Sequence, residues 1–208
     1  MKILVGIPCL YNAEMCKLSI LSVAMEADVL VIDNGADYGV KQMIKLLIEC
    51  KFNIRFISNE QNIFVNPAWN QILHYFLQSD YDQLIIMNSD LVMKPGWSNR
   101  IQDGISCIPT DGSHLVDTVV SEGTTGVFIH LNKEMARLAY PIPYGIKIWF
   151  GDNFLYGKIR KAGFQTIIRT GMLCEHIGNG SQTIGILPNK AEIIEQDKIA
   201  WAEIEKTL

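Results

Sequence analysis

Residues 2–12 read Lys2-Ile3-Leu4-Val5-Gly6-Ile7-Pro8-Cys9-Leu10-Tyr11-Asn12. An unbroken apolar run that stops at a proline and then turns polar is the pattern of a short strand covered on both faces. The pattern returns over 28–33, closed by Asn34-Gly35, more weakly over 52–58, and over 83–87, closed by Asn88-Ser89-Asp90. Helical patterns lie between. Residues 13–26 place Leu18, Leu21, Val23 and Met25 on a broad apolar face, and 38–50 carry Val40, Ile44, Leu47 and Ile48. Residues 66–78 begin with Asn66 as expected N-cap and Pro67 at the first helical position. The order β-α-β-α-β-α-β predicts an α/β fold with a doubly wound, mostly parallel sheet.

Beyond this stretch the pattern loosens, with interruptions at Gly96, Gly104, Pro109 and Gly112. Strands are expected over 124–131 and 166–169, and helices over 152–162 and 190–206. The last carries Ile193, Ile194, Ile199, Trp201 and Ile204. No repeat or low-complexity linker divides the chain. With 208 residues, 49% hydrophobic and 19% charged, it forms one sizeable domain over 1–208 and is not disordered.

A net charge of -4 excludes a broad electrostatic attraction to nucleic acid or an anionic membrane. No apolar run approaches the ~20 residues of a membrane span. The run Ile3 to Ile7 is too short for a signal-peptide core, so the match to a glycosylation sequon at Asn179-Gly180-Ser181 is discounted. Cys9, Cys16, Cys50, Cys107 and Cys174 are odd in number and scattered, which reads as reduced, mostly buried thiols and a cytoplasmic location.

Ligands of open α/β sheets bind beyond the carboxyl ends of the strands. Three of the four leading strands end in distinctive polar residues: Pro8 to Asn12, Asp33-Asn34-Gly35, and Asn88-Ser89-Asp90. A parallel sheet brings these ends to one edge. Each also has a plainer reading. Pro8 and Asn12 serve equally as loop and cap residues, Asp33-Asn34-Gly35 is a common turn sequence, and Asn88-Ser89-Asp90 could cap the segment before Lys94-Pro95. Their coincidence at three strand ends favours a nucleotide-sugar pocket. Tyr11 can cover a base or ribose face, Asp33 can accept from a base N–H or a ribose hydroxyl, and Asp90 can hold a hard divalent cation whose remaining shell is phosphate and water.

These residues resemble the inverting GT-A glycosyltransferases of family 2, over Lys2 to about Ser181. That family's first strand ends in Pro-x-Tyr-Asn, here Pro8 through Asn12 with one extra residue. Its second ends in Asp, then Asn or Asp, then Gly, here Asp33-Asn34-Gly35. An Asn-rich segment containing Asn59 and Asn62 leads into a helix with Asn66, Trp69 and Asn70. Asn88-Ser89-Asp90 is similar to the Asn-x-Asp variant of the family's metal motif. Trp149-Phe150-Gly151-Asp152, ahead of Arg160-Lys161-Ala162-Gly163-Phe164, resembles its acidic pair and following turn, with Gly151 in place of the first acid. His176-Ile177-Gly178-Asn179-Gly180-Ser181 resembles its closing His and Gly/Ser stretch.

The resemblance implies a GT-A type, Rossmann-like fold with a nucleotide-binding half over 1–95 and an acceptor half with a C-terminal helix over 96–208. It implies a nucleotide-sugar donor, with UDP the default, a hexose or deoxyhexose passed to a glycan acceptor with inversion, and Mn2+ or Mg2+ as cofactor. Asp152 is then the catalytic base, and Asp90 and His176 are metal ligands. Pro8, Leu10, Tyr11, Asn12, Asp33, Asn62, Asn88 and Ser89 bind substrate. A likeness to the sugar-transferring first domain of a larger viral protein implies fusion to a further domain after the terminal helix.

Asp152 could instead cap its helix, and His176 could be a satisfied interior histidine. His74, His114 and His130 have no motif context; Lys94, Arg160 and Arg169 read as solvated charges. Trp69 and Trp149 read as core or pocket wall. Gly178-x-Gly180 does not open a helix after the first strand, so a dinucleotide-binding fingerprint is rejected. Two other readings stay open: a non-catalytic carbohydrate- or nucleotide-binding module of the same fold, kept alive by the carboxylates missing at Asn88 and Gly151, and a sugar-nucleotide nucleotidyltransferase, which would need a Gly-rich basic loop where Pro8 to Asn12 stands.

Overall fold

The computed structural model describes residues 1–101, 105–107, 117–119, 126–164, 166–169, 174–177, 187 and 189–208, with the backbone alone at Arg100, 105–107, 117–119 and 167–169. The expected features at Gly104, Cys107, Pro109, Gly112, His114, Arg169 and 178–181 lie outside these residues or side chains.

The strand elements are β1 (Ile3–Cys9), β2 (Asp28–Asn34), β3 (Ile54–Asn59), β4 (Gln83–Met87), β5 (Leu91–Met93), β6 (Ile105–Cys107), β7 (Asp117–Val119), β8 (Phe128–Asn132), β9 (Thr166–Arg169) and β10 (Cys174–His176). The helices are α1 (Ala13–Ala24), α2 (Tyr38–Glu49), α3 (Val65–Gln78), α4 (Lys133–Ala139), α5 (Gly151–Lys161) and α6 (Lys190–Glu205). The central sheet has the order β3-β2-β1-β4-β8. Its first four strands are parallel, and β8 runs antiparallel to β4.

The apolar runs are buried on both faces, as their lack of alternation predicts. Ile3, Val5 and Ile7 of β1 and Val29 and Val31 of β2 face a core shared with α1 and α2. Leu4, Leu30 and Ile32 face the opposite core, shared with α3, α4, α5 and α6. At roughly 25 cal/mol per Å² of apolar surface, two such layers are the main stabilising term.

Three local expectations are corrected. In α1 the buried stripe is Cys16, Ser19, Ile20 and Val23, while Leu18 and Met25 are exposed. Spacing i, i+3, i+4, i+7 selects one face, and the Ser19 hydroxyl fits there because it donates to the Asn88 carbonyl at 3.3 Å. In α3 the N-cap is Phe64, at φ 70, without a side-chain cap bond. Asn66 lies inside the first turn and is buried, and Pro67 is tolerated there because early helical N–H groups have no intrahelical acceptor. In α6, Ile199 is exposed, and the buried positions are Ile193 and Asp197.

Candidate active site

The parallel register sets the strand ends side by side. Cys9 pairs with Asp33 and Pro8 with Ile32. Gly6 pairs with Ile86, so the end of β4 lies beside the end of β1. Loop 10–12 is tied down from both sides. The Asp37 N–H donates to the Leu10 carbonyl at 3.1 Å. Asn12, in the left-handed region, caps α1 by accepting from the Met15 N–H at 3.2 Å. The plain reading of Asn12 as a cap therefore holds. Tyr11 is half-buried at the tip.

Asp33 is buried, with one oxygen accepting from the Ala36 N–H at 2.8 Å and the other from the Ser58 hydroxyl at 2.6 Å. Its carboxylate is thereby fixed at the rim. Asn34 and Asn62 form a brace behind it. The Asn34 amide donates to the Asn62 oxygen at 3.1 Å and to the Phe64 carbonyl at 3.2 Å, and the Asn62 oxygen also accepts from the Phe64 N–H. The structure thus uses the oxygen of Asn62 to shape the loop.

The Asn88-Ser89-Asp90 turn is held at both ends. The Asn88 N–H donates to the Val127 carbonyl at 3.0 Å, and the Leu91 N–H closes onto the Asn88 carbonyl at 3.3 Å. β5 follows at once and pairs antiparallel with β10, in the register His176 opposite Leu91. That pairing brings two motifs 86 positions apart in sequence together. His176 Nε2 lies 3.4 Å from Asp90 Oδ1, with both side chains largely buried. The Ile177 N–H adds a backbone bond to the Asp90 carbonyl. One carboxylate oxygen and one imidazole nitrogen suit a manganese-like ion. No cluster of three His, Cys, Asp or Glu exists among the described residues, so the rest of such a shell would come from phosphate and water.

Asp152 is the second residue of α5, whose N-cap is Phe150; it is not the helix cap. Its own carboxylate accepts from the Asn153 N–H at 2.9 Å. A Cβ added at Gly126 would lie 3.5 Å from the Asp152 Cγ and 2.8 Å from the Trp69 ring. Gly126 adjoins Val127, which binds Asn88, so Asp152 and the Asn88 turn share one wall. Burial pushes the Asp152 carboxyl above the ordinary carboxylate range, against hydrogen bonds with the backbone at Asn153 and Gly126.

Gly151 has a structural explanation. A Cβ there would overlap the side-chain oxygen of Asn66, whose amide donates to the carbonyls of Ile146 and Trp149 at 3.2 and 3.0 Å. Among the described residues the other two histidines have partners of their own: His130 is buried on Gln83 at 2.7 Å, and His74 contacts the Tyr140 hydroxyl. Trp69 is core, and Trp149 is partly exposed. Cys9 and Cys16 are buried and free, Cys174 is half-buried, and Cys50 is exposed. The hydrogen bond to the Cys16 thiol, with burial behind it, pushes Cys9 well up, which leaves it inert as a nucleophile.

Sequence reasoning did not single out Asp197. It is fully buried, and its carboxylate accepts from three consecutive backbone N–H groups, Lys147 at 2.8 Å, Ile148 at 2.8 Å and Trp149 at 2.9 Å.

Among the described residues no helix is long and apolar enough to cross a membrane. Residues 5–170 match the family described as glycosyl transferase family 2. The fold resembles that of the mannosyltransferase PcManGT from Pyrobaculum calidifontis, solved with GDP-Man and Mn2+, at 13% identity and TM-score 0.67, over 86% of this chain and 58% of that one. GalNAc-T7 with UDP, GalNAc and Mn2+ aligns at 13% identity and TM-score 0.70, over 91% and 45%. The inositol-1-phosphate CTP transferase from T. maritima aligns at 12% identity and TM-score 0.54, over 94% and 96%. At these identities the likeness is one of fold. This chain spans 58% and 45% of the lengths of the first two. A comparison with curated protein sequences gave no match.

Proposed function

The chain belongs to glycosyl transferase family 2 as a GT-A domain, and from that premise we propose that it passes a hexose or deoxyhexose from a nucleotide sugar, by default a UDP-sugar, to a glycan hydroxyl with inversion. The observation that carries this reading is the meeting of Asp90 and His176, 3.4 Å apart at the rim where Asp33 and the 10–12 loop also end. Tyr11 and Asp33 take the nucleoside, with Pro8, Leu10, Asn12 and Asn62 shaping the loop around it. Asn88 and Ser89 lie along the diphosphate. Asp90 and His176 are the residues that would hold Mn2+ or Mg2+, which when bound supplies positive charge against the departing diphosphate.

Transfer is a single displacement. The acceptor oxygen forms its bond to the anomeric carbon as the bond from that carbon to the diphosphate oxygen breaks. The leaving diphosphate keeps the electron pair, and the acceptor proton passes to the Asp152 carboxylate and then to solvent. The raised affinity of Asp152 for a proton fits a base.

The expected outcome for Asp152→Asn is a loss of about 10²–10⁴-fold in transfer, with UDP binding within twofold of the parent by calorimetry. Normal transfer by this variant would remove Asp152 from the role. A non-catalytic carbohydrate- or nucleotide-binding module is the second reading, kept open by the carboxylates missing at Asn88 and Gly151. Tight nucleotide-sugar binding with neither hydrolysis nor transfer, across a panel of UDP- and GDP-sugars with Mn2+, would select it. A nucleotidyltransferase gains only fold-level support from the CTP-transferase likeness, because the loop after β1 is neither Gly-rich nor basic.

A further inference from the structure

We propose that Asp197 is a positioning residue for Asp152, so that α6, which lies beyond the matched residues 5–170, belongs to the catalytic apparatus. The inference rests on the reading of Asp152 as the base. Three consecutive backbone N–H groups, of Lys147, Ile148 and Trp149, converge on the one Asp197 carboxylate. A concave run of N–H groups of this kind is an anion-binding nest, here filled by a side chain from α6. The carboxylate is fully buried. One turn further along α6, the Trp201 indole stacks on the Phe150 ring, with centroids 5.3 Å apart and planes 5° from parallel.

From the other side Asn66 holds the carbonyls of Ile146 and Trp149, and its own N–H donates to the Lys147 carbonyl at 2.9 Å. Residues 146–150 are thus gripped between α3 and α6. Phe150, at φ 63, is the N-cap from which α5 starts, and Asp152 is the second residue of that helix. A tilt of the 147–150 turn therefore moves the carboxylate directly, while the residues proposed to bind the nucleoside are anchored separately by Asp37, Ser58 and Ala36.

The test uses the full chain, the hydrolysis of whichever sugar nucleotide turns over fastest among UDP-glucose, UDP-galactose, UDP-N-acetylglucosamine and GDP-mannose with Mn2+, and calorimetry with UDP. Water then stands in for the acceptor. Asp197→Asn, which sets an NH2 donor against the N–H nest, should lower kcat at least tenfold with the Kd for UDP changed less than twofold. Ile199→Ala, at an exposed position of the same helix, should leave kcat unchanged. In the Asp152→Asn background, Asp197→Asn should cost less than a further twofold, because it acts through a group already removed. A variant that weakens packing in general would lower the residual rate again.

A kcat for Asp197→Asn within twofold of the parent, a parallel tenfold loss of UDP binding, or additive losses in the double variant would each overturn the inference. If Asp197→Asn does not fold, Asp197→Glu carries the same comparison, since it keeps both acceptors and displaces them by one methylene. Full hydrolysis by Asp152→Asn would instead withdraw the base assignment, and the positioning role with it.

Discussion

Asp152 has a pH signature that follows from its surroundings. Burial raises its folded-state pKa above the value in the unfolded chain. In the proposed role of base it works ionised, so activity should fall with decreasing pH at a higher pH than the ~3.9 of an ordinary Asp would give. Stability runs the opposite way. The advantage of the protonated carboxyl is full below the unfolded value and is lost as pH rises through the raised folded value. At neutral pH the ionised group therefore costs stability. Asp152→Asn should melt above the parent at pH 7, and the gap should close as the pH is lowered. A lower melting temperature at pH 7 would show a favourably paired carboxylate instead. The neighbouring Gly151 invites a second test. Restoring an acid there, as Gly151→Glu, should reduce activity, because the new Cβ displaces Asn66 from the carbonyls of Ile146 and Trp149. A gain in turnover would show that the missing acid was a loss of function.

The start of α1 carries both a cap and a left-handed residue, Asn12 at φ 64. Asn12→Ala removes the acceptor for the Met15 N–H and puts a Cβ-bearing residue without a local hydrogen bond into that region. The two effects together should cost about 2 kcal/mol in a urea melt, whereas Asn12→Gly should lose only a few tenths. Equal losses would contradict the geometry. This cap was legible in the sequence, as were the four parallel strands, because both are written in local pattern. The start of α3 was not. Asn66 looks like an N-cap, but its partners at Ile146 and Trp149 lie 80 and 83 positions away, and tertiary demand overrode the local preference. The same holds for Ser19 on the buried face of α1 and Asp197 on that of α6, polar residues whose acceptors or donors no periodicity reveals. The antiparallel direction of β8 is likewise absent from the pattern, because a run buried on both faces reads alike in either sense.

Across the whole molecule, the residues proposed for the site were marked in the sequence mainly by strand-end motifs, but the meeting of Asp90 and His176 depended on the pairing of β5 with β10 that only the fold supplies. The assembled rim has a charge problem that bears on the ligand. Asp33, Asp90 and Asp152 are the acids proposed for it in a chain of net charge -4, so the anionic diphosphate of the proposed donor would approach carboxylates. Among the described residues Asp90 and His176 would offer a cation two donors, short of the shell a hard divalent ion requires without phosphate oxygens. Nucleotide and metal should therefore bind as a mutually dependent pair. In thermal melts Mn2+ alone and UDP alone should each shift Tm little. In saturating Mn2+, UDP at about 100 times its Kd under those conditions should add about 2.7 kcal/mol, roughly 5–10 °C for a domain of this size, and chelation should reverse the shift. Asp90→Asn should remove the synergy while leaving the unliganded melt nearly unchanged. A full shift from UDP without metal would show that the rim neutralises the diphosphate by itself, and the metal-dependent reading would fall.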